Sequence, residues 1–227
     1  MTTTSRSRAA LALFAVFPAV AAVHVAALAL GQEWLSSLTK PFLMLILALA
    51  LLWSIRRLSA PAVIAVIAIL CSWLGDVALI VPGELAFGVG ILFFMLAQAA
   101  YVVLFVRHLR TRRRPPAWAL VYVVWLVLGI GLLSQQDMGA LYPAVVLYGI
   151  VIGAMAATST MTTRTIALGG ALFLISDSLI AVDRFVPSVT VWAADEVIMI
   201  TYAAGQGLIV WGIAELLRRP QPAVVPV

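Results

Sequence analysis

Two aspartates, Asp76 and Asp177, stand within stretches that are otherwise apolar enough to cross a lipid bilayer. Insertion scales give a cost of roughly 2.5 to 3.5 kcal/mol for an aspartate at the centre of a membrane helix, so each carboxyl is expected to face a polar cavity. Two carboxyl groups can divide acid and base roles between them. We therefore take Asp76 and Asp177 as candidate catalytic residues. The alternative for either one alone is a structural hydrogen bond to a neighbouring helix.

Other polar side chains are expected in the same half of the bundle. Lys40 lies at the start of the predicted second span, where it could serve the site, extend to the interface or balance the aspartates. Residues 195, 199, 202 and 206 are spaced by four, three and four positions, so they share one face of the last span. Tyr202 and Gln206 could equally form ordinary hydrogen bonds between helices. If these faces converge, one polar cavity is lined by Lys40, Asp76, Ser176, Asp177, Tyr202 and Gln206. The candidate substrate-binding residues are Lys40, Gln98, Ser176, Tyr202 and Gln206.

The composition indicates an integral membrane protein. Of the 227 residues, 64% are hydrophobic and 10% are charged, and the mean hydropathy is +1.14, whereas soluble proteins carry about 25% charged residues. A hydrocarbon core about 30 Å thick takes about 20 apolar residues per helix, so the length accommodates about eight spans and no sizeable soluble domain. We expect a single all-α, polytopic helix bundle over residues 1–219 and a short, disordered, proline-containing tail over residues 220–227.

Apolar runs between polar segments predict eight helices. Proline is favoured in the first turn of a helix because its missing N–H needs no partner there. It marks the predicted starts at Pro41, Pro61, Pro143 and the pair Pro115-Pro116. The predicted helices span residues 9–30, 40–55, 61–81, 85–107, 117–133, 142–161, 165–182 and 193–216.

The basic residues predict the orientation. By the predicted spans, 12 of the 14 fall on the N-terminal side, and only Lys40 and Arg184 fall on the other. The positive-inside rule then places both termini in the cytoplasm, in a multi-pass protein of the cell membrane. Because the arginines stand in short runs between apolar stretches, the pI near 10 does not indicate a nucleic-acid partner. The 12 residues are Arg6, Arg8, Arg56, Arg57, Arg107, Arg110, Arg112, Arg113, Arg114, Arg164, Arg218 and Arg219.

A weak internal repeat divides the chain into two halves. Pro41 and Pro143 are 102 residues apart, and Asp76 and Asp177 are 101 residues apart. The first four spans then resemble a copy of the last four. Four spans per unit give parallel repeats rather than inverted ones.

Motifs for metal or nucleophilic catalysis are not evident in the sequence. His24 is isolated in the first span and His108 belongs to an arginine run, so no histidines or cysteines have ligand spacing. There is no Gly-x-Ser-x-Gly elbow and no glycine loop for phosphate. The single cysteine, Cys71, lies in an apolar run and is interpreted as a packing residue. We expect no metal and no cofactor, which leaves carboxyl chemistry.

Five segments, in order along nearly the whole chain, resemble the YhhN family of integral membrane lysoplasmalogenases. They are Thr39-Lys40-Pro41, Trp73 to Leu79, Phe93 to Tyr101, Gly170 to Asp177, and Tyr202 to Gln206. Members of that family often carry histidine at the position of Gln98, so the resemblance does not extend to a proton shuttle there.

The resemblance implies hydrolysis of the vinyl ether bond of a lysoplasmalogen to a fatty aldehyde and a glycerophospho-alcohol. Acid hydrolysis of a vinyl ether begins with protonation of an alkene carbon and passes through an oxocarbenium ion that water captures. One protonated and one ionised carboxyl suit this chemistry. Asp76 and Asp177 would be the acid and the base, in either order, and Lys40 with nearby polar groups would bind the phosphate. The expected partners are a lysophospholipid substrate and membrane lipids.

Two other functions fit the same residues. A proton-coupled membrane transporter would also use intramembrane carboxyls and an internal repeat, although the polar residues concentrate in one half of the bundle. A non-catalytic lipid-binding membrane protein would use the cavity without chemistry. Release of aldehyde from a vinyl ether lysolipid, but not from an ester-linked one, distinguishes the enzyme from both.

Overall fold

Eight α-helices and short helical turns make up the part of the protein that the computed structural model describes, residues 3–55 and 57–218, with side chains from residue 8 onward. The helices are α1 (Thr3–Ala29), α2 (Glu33–Ser54), α3 (Ala60–Ala78), α4 (Glu84–Leu104), α5 (Val121–Leu133), α6 (Tyr142–Ser159), α7 (Arg164–Phe185) and α8 (Ala194–Arg218). Two 3-10 turns, Ala117–Leu120 and Gly139–Leu141, precede α5 and α6, and a π-helical turn, Phe105–Leu109, follows α4. Arg56, Arg219, the predicted tail 220–227 and the side chain of Arg6 lie outside the described residues.

Seven of these helices are long and apolar enough to cross a membrane. The shorter one is α5, whose 13 residues form the second part of the apolar segment Ala117–Leu133. Tyr122 is the buried residue of α5. The other side chains of this helix are partly or fully exposed, as expected for a helix at the edge of a bundle in lipid. The prediction of an all-α, multi-pass membrane bundle of eight helices is therefore confirmed.

The start of α2 differs from its predicted position. The chain turns at Gly31, whose φ of +64° costs glycine little, and the helix begins at Glu33. Pro41 consequently lies inside α2 rather than in its first turn. Membrane helices tolerate the backbone hydrogen bond lost at such a proline. The starts predicted from Pro61 and Pro143 are confirmed, because both lie in the first turns of their helices.

Sequence neighbours form the main helix pairs of the bundle. The pairs α1–α2, α3–α4 and α7–α8 pack along each other, and α2–α3 and α6–α7 connect them. The halves of the chain are joined where α1 and α3 pack on α8, and by two more contacts: α4 packs on α6, and α8 packs on α2. These two contacts correspond to each other when the first four helices are matched with the last four. The packing is therefore consistent with the predicted parallel repeat.

Glycines let α7 and α8 approach each other at backbone distance. A Cβ atom added to Gly169 would lie 2.7 Å from the carbonyl oxygen of Gly205 and 2.9 Å from the amide nitrogen of Ile209. A Cβ atom added to Gly205 would lie 2.9 Å from the amide nitrogen of Phe173. Because the opposing atoms belong to the backbone, they cannot move aside as a side chain would. This contact fixes the helix that carries Asp177 against α8.

Candidate active site

Asp177 lies on α7, about two turns before that helix ends at Phe185. The hydroxyl group of Tyr148, on the neighbouring α6, donates a hydrogen bond to Oδ2 of Asp177. Both side chains are half-buried and both line the same narrow cavity. The tyrosine therefore holds in place a carboxyl group that a ligand in this cavity would touch.

Asp76 lies in the last turn of α3 and is buried, with 2% of its surface exposed. The hydroxyl group of Tyr202, on α8, donates a hydrogen bond of 2.7 Å to Oδ2 of Asp76. One turn away, Nε2 of Gln206 donates to the hydroxyl of Ser72 at 2.9 Å. Oε1 of the same glutamine accepts a bond of 2.9 Å from the hydroxyl of Tyr101. Because residues four apart share a helix face, α3 and α8 meet through two successive polar contacts.

The two aspartates are neighbours, each held by its own tyrosine. In the described part of the chain no hydrogen bond joins the two carboxyl groups, yet they lie within range of electrostatic interaction. The ring of Phe94 contacts the tyrosine of one pair and the cavity of the other. It packs edge-on against the ring of Tyr202, with centroids 6.0 Å apart, and it lines the cavity at Asp177. The pair is therefore asymmetric, with one carboxyl at a cavity and the other enclosed.

The cavity at Asp177 is narrow and almost wholly apolar. Its volume is about 50 Å³, and its walls come from α4, α6, α7 and the turn after α3. Besides Tyr148 and Asp177, its lining consists of Leu79, Phe87, Ile91, Phe94, Val145, Ile180, Ala181 and Phe185. Its apolar walls suit the first carbons of a hydrocarbon chain beside a polar bond at the carboxyl group, since its volume is far below the roughly 300 to 1,000 Å³ of a site that encloses a whole ligand.

A second cavity, of about 390 Å³, lies at the end of the bundle opposite the N-terminus of α1. It is lined by charged side chains of both signs. Lys40 and Arg184 are basic, Asp183 and Asp195 are acidic, and the buried His24 adds an imidazole. Its other lining residues are Leu28, Ser36, Ser37, Leu79, Ile80, Phe87, Ile180, Ile198 and Met199. This cavity therefore suits the charged part of a ligand.

The two cavities adjoin, because they share the wall residues Leu79, Phe87 and Ile180. The guanidinium group of Arg184 lies over the ring of Phe87, 3.9 Å from its centroid. This cation–π contact holds a positive charge at the junction of the two cavities. A molecule with a charged head and one apolar chain could therefore place a part in each.

The structure separates the side chains that were expected to line a single cavity. Lys40 lines the wide cavity and Asp177 lines the narrow one. The expected convergence of Asp76, Tyr202 and Gln206 is observed. These side chains take part in hydrogen bonds between α3 and α8 in the interior, and they do not belong to the lining of either cavity. Two adjoining cavities thus replace the one predicted, because the polar face of α8 is satisfied by α3.

Two further predicted site residues are fully buried. Ser176 donates a hydrogen bond of 3.0 Å to the carbonyl of Ile198, which ties α7 to α8. Gln98 lies on α4 close enough to Tyr148 for a polar interaction, although within the described residues neither atom of its amide group has a partner at good hydrogen-bond geometry. The binding roles proposed for Ser176 and Gln98 stay predictions.

Three residues at the cavities were not singled out from the sequence as site residues. Tyr148 stands in an apolar span, where the signal was only that a tyrosine within a membrane helix needs a partner for its hydroxyl. Arg184 was counted as a charge at a helix end. His24 looked isolated, but its Nδ1 lies 2.8 Å from the hydroxyl of Thr39. That hydroxyl already donates to the carbonyl of Leu35 at 2.7 Å, so Nδ1 of His24 is the donor to Thr39.

Within residues 3–55 and 57–218, no group of three or more histidine, cysteine, aspartate or glutamate side chains is placed to hold a metal ion. The groups at the narrow cavity that can exchange protons are the carboxyl of Asp177 and the phenol of Tyr148.

Comparison with known proteins identifies a family. The model of the YhhN family matches residues 35–213. The matched range begins in α2 and ends in α8, so it includes both aspartates, their two tyrosines, Lys40 and Arg184. No curated protein and no solved structure is detectably similar to the chain.

Proposed function

The chain belongs to the YhhN family, and we propose that it is a membrane-embedded hydrolase that cleaves the vinyl ether bond of a lysoplasmalogen. The observation that carries the proposal is the carboxyl group of Asp177 in an apolar cavity that adjoins a charged one. A lysoplasmalogen has matching parts, namely a phosphate-bearing head group and one alkenyl chain. Its vinyl ether bond lies between them, and Asp177 lines the apolar cavity that adjoins the charged one.

The head group would bind in the wide cavity through its phosphate. Lys40 and Arg184 supply the positive charges. A guanidinium group can bind two phosphate oxygens at once, and the ring of Phe87 lies against this one. The alkenyl chain would then pass between Leu79, Phe87 and Ile180 to reach Asp177.

Protonation is the first chemical step of the proposed reaction. The protonated carboxyl of Asp177 transfers its proton to the alkene carbon remote from the ether oxygen, and the electron pair of the double bond forms the new C–H bond. The carbon next to oxygen becomes an oxocarbenium ion. The carboxylate left on Asp177, held by Tyr148, faces this cation. Asp76 is enclosed, so in this proposal it acts through its charge rather than by contact.

Water completes the reaction. It adds to the oxocarbenium carbon while the carboxylate of Asp177 takes its proton, so the acid is restored. The hemiacetal then collapses to the fatty aldehyde and the glycerophospho-alcohol. One vinyl ether bond and one water molecule are consumed, and no oxidant or reductant is needed.

The test measures aldehyde release from purified protein in micelles supplied with a lysoplasmalogen or with an ester-linked lysophospholipid. We expect aldehyde from the vinyl ether alone. Asp177→Asn should lower the rate by at least about 100-fold, the usual size of a general acid contribution. Asp137→Asn is the matched control, because Asp137 is exposed on the connection between α5 and α6. Wild-type rates in Asp177→Asn would overturn the assignment of the residue. Absence of aldehyde with wild-type protein would favour the transporter or the lipid-binding protein.

The orientation belongs to the same proposal. With both termini in the cytoplasm of a cell-membrane protein, as the basic residues predict, the two cavities open toward the non-cytoplasmic face. A reporter fused after residue 227 that is active only in the cytoplasm should be active. An inactive reporter would reverse the orientation without changing the site.

A further inference from the structure

A basic loop, residues 107–114, lies at the end of the bundle that carries the N-terminus of α1, far along the helices from both cavities. Its basic side chains are exposed. They are Arg107, His108, Arg110, Arg112, Arg113 and Arg114. No aspartate or glutamate occurs from residue 85 to residue 136. The nearest sequence region therefore supplies no carboxylate to neutralise these arginines.

The backbone of the basic loop is fixed to the rest of the fold. The amides of Thr111 and Arg112 donate to the carbonyl of Met161, at 2.8 and 3.2 Å. The hydroxyl of Thr111 reaches the carbonyls of Met161 and Thr162, at 3.1 and 3.2 Å. These bonds tie the loop to the turn between α6 and α7. The arginines are therefore presented from an anchored backbone rather than from a free tail.

Two neighbouring features place this loop at the surface of a bilayer. The turn that anchors it leads into α7 at Arg164, which adds another exposed guanidinium. On the other side, Pro115 and Pro116 lead to Trp118, which is 58% exposed at the start of the apolar segment Ala117–Leu133. Tryptophan is enriched where hydrocarbon meets head groups. The guanidinium groups are thus expected at the level of lipid phosphates.

We propose that the basic loop, together with Arg164, binds the head groups of anionic phospholipids. A guanidinium group offers paired donors to a phosphodiester oxygen pair, and a cluster of four to eight cations beside a membrane segment attracts lipids of net negative charge. A topology signal alone needs only the charges. The anchored backbone and the exposed tryptophan add a surface on which a lipid head group can stay bound. This proposal does not depend on the enzymatic function.

The test uses the full chain purified in detergent and supplied with equal amounts of phosphatidylglycerol and phosphatidylcholine. Native mass spectrometry counts the lipids retained, and thermal melting measures stabilisation by each lipid. We expect selective retention of phosphatidylglycerol. The fourfold variant Arg110→Gln, Arg112→Gln, Arg113→Gln, Arg114→Gln should bind it at least tenfold more weakly, since each cation contributes up to about fivefold. The matched control, Arg8→Gln with Arg57→Gln, removes two exposed arginines at the same end but outside the loop, and it should retain most of the binding.

Further variants make each outcome of the lipid-binding experiment decisive. Replacing the four arginines by lysine keeps the charge and should preserve the preference in part. If the fourfold glutamine variant melts early in phosphatidylcholine alone, Arg113→Gln with Arg114→Gln replaces it and should show about half the effect on a logarithmic scale. Equal retention of both lipids by the wild-type chain would overturn the proposal. So would undiminished retention by the glutamine variants, or equal stabilisation by inorganic phosphate.

Discussion

The hydroxyl group of Tyr202 lies 2.7 Å from Oδ2 of Asp76 and joins α8 to α3 in the interior of the bundle. The contact between Gln206 and Ser72 repeats this connection one turn away. All four side chains are buried, and a buried polar group that loses its partner keeps the full cost of its desolvation. These contacts therefore fix α3 against α8, and they set where the carboxyl of Asp76 stands relative to Asp177.

Removing this contact should destabilise the fold in a coupled way. Tyr202→Phe should lower the free energy of unfolding by about 1 to 3 kcal/mol, because Asp76 is left buried without its donor. Asp76→Ala should cost a similar amount, and the double variant should cost less than the sum by about 1 kcal/mol. Denaturant titration of the four proteins in one detergent measures this coupling. Strict additivity would mean that the two side chains do not interact in solution.

The bond between Tyr148 and Asp177 should matter for turnover more than for stability. Tyr148→Phe removes a hydrogen bond to an acidic group, and such bonds contribute about 1.5 to 3 kcal/mol. We expect kcat for aldehyde release to fall by about 10- to 100-fold with little change in KM, because the tyrosine holds the reacting carboxyl rather than the head group.

Tyr142→Phe is the matched control for this prediction, since Tyr142 lies in the first turn of the same helix. It should keep nearly the full rate. A Tyr148→Phe protein with wild-type kcat would show that Asp177 does not need its phenol partner for catalysis.

The sequence predicts the helices well and their exact starts less well. Each span is long and apolar, and Pro61 and Pro143 mark helix starts by a local rule, so these features depend on neighbouring residues only. The start of α2 depends on the tight turn at Gly31. That turn shortens the connection after α1 and leaves Pro41 inside the helix, which the proline rule alone does not foresee.

The site could be predicted only in part. The membrane cost of a carboxyl pointed to Asp76 and Asp177, because that cost is a property of the residue itself. Which tyrosine each carboxyl bonds to, and whether that carboxyl also lines a cavity, depends on which face of another helix lies opposite. Tyr148 is 29 residues from Asp177, and Tyr202 is 126 residues from Asp76. Those pairings follow from helix packing, and no spacing in the sequence encodes them.

The cations of the wide cavity should determine substrate affinity. Arg184→Gln and Lys40→Gln should each raise KM by about tenfold, a loss of about 1.4 kcal/mol of binding, and leave kcat within about threefold because neither side chain lines the cavity at Asp177. Arg184→Lys should keep only part of the wild-type affinity, since an ammonium group is a point charge without the planar fork. Steady-state kinetics with a lysoplasmalogen measures both constants.

An alkenylglycerol that lacks the phosphate provides the control for this prediction. Its KM should be high and nearly the same in the wild type and in both glutamine variants. Equal sensitivity of the two substrates to Arg184→Gln would show that Arg184 supports the fold and does not bind phosphate.

The glycine contact between α7 and α8 gives a test of the packing that positions the site. Gly169→Ala places a methyl group within 3 Å of backbone atoms of α8, and Gly205→Ala does the same toward α7. Because a helix backbone cannot move aside locally, the two helices must separate, and overpacking of this kind costs about 1 to 3 kcal/mol.

Gly129→Ala on α5 is the matched control, since nothing lies within 4 Å of its added Cβ atom, and alanine in a helix gains up to about 1 kcal/mol over glycine. Thermal melting in one detergent should therefore rank Gly129→Ala at or above the wild type and the other two clearly below it. Equal melting temperatures for Gly169→Ala and Gly129→Ala would contradict the close approach of α7 and α8 on which the placement of Asp177 depends.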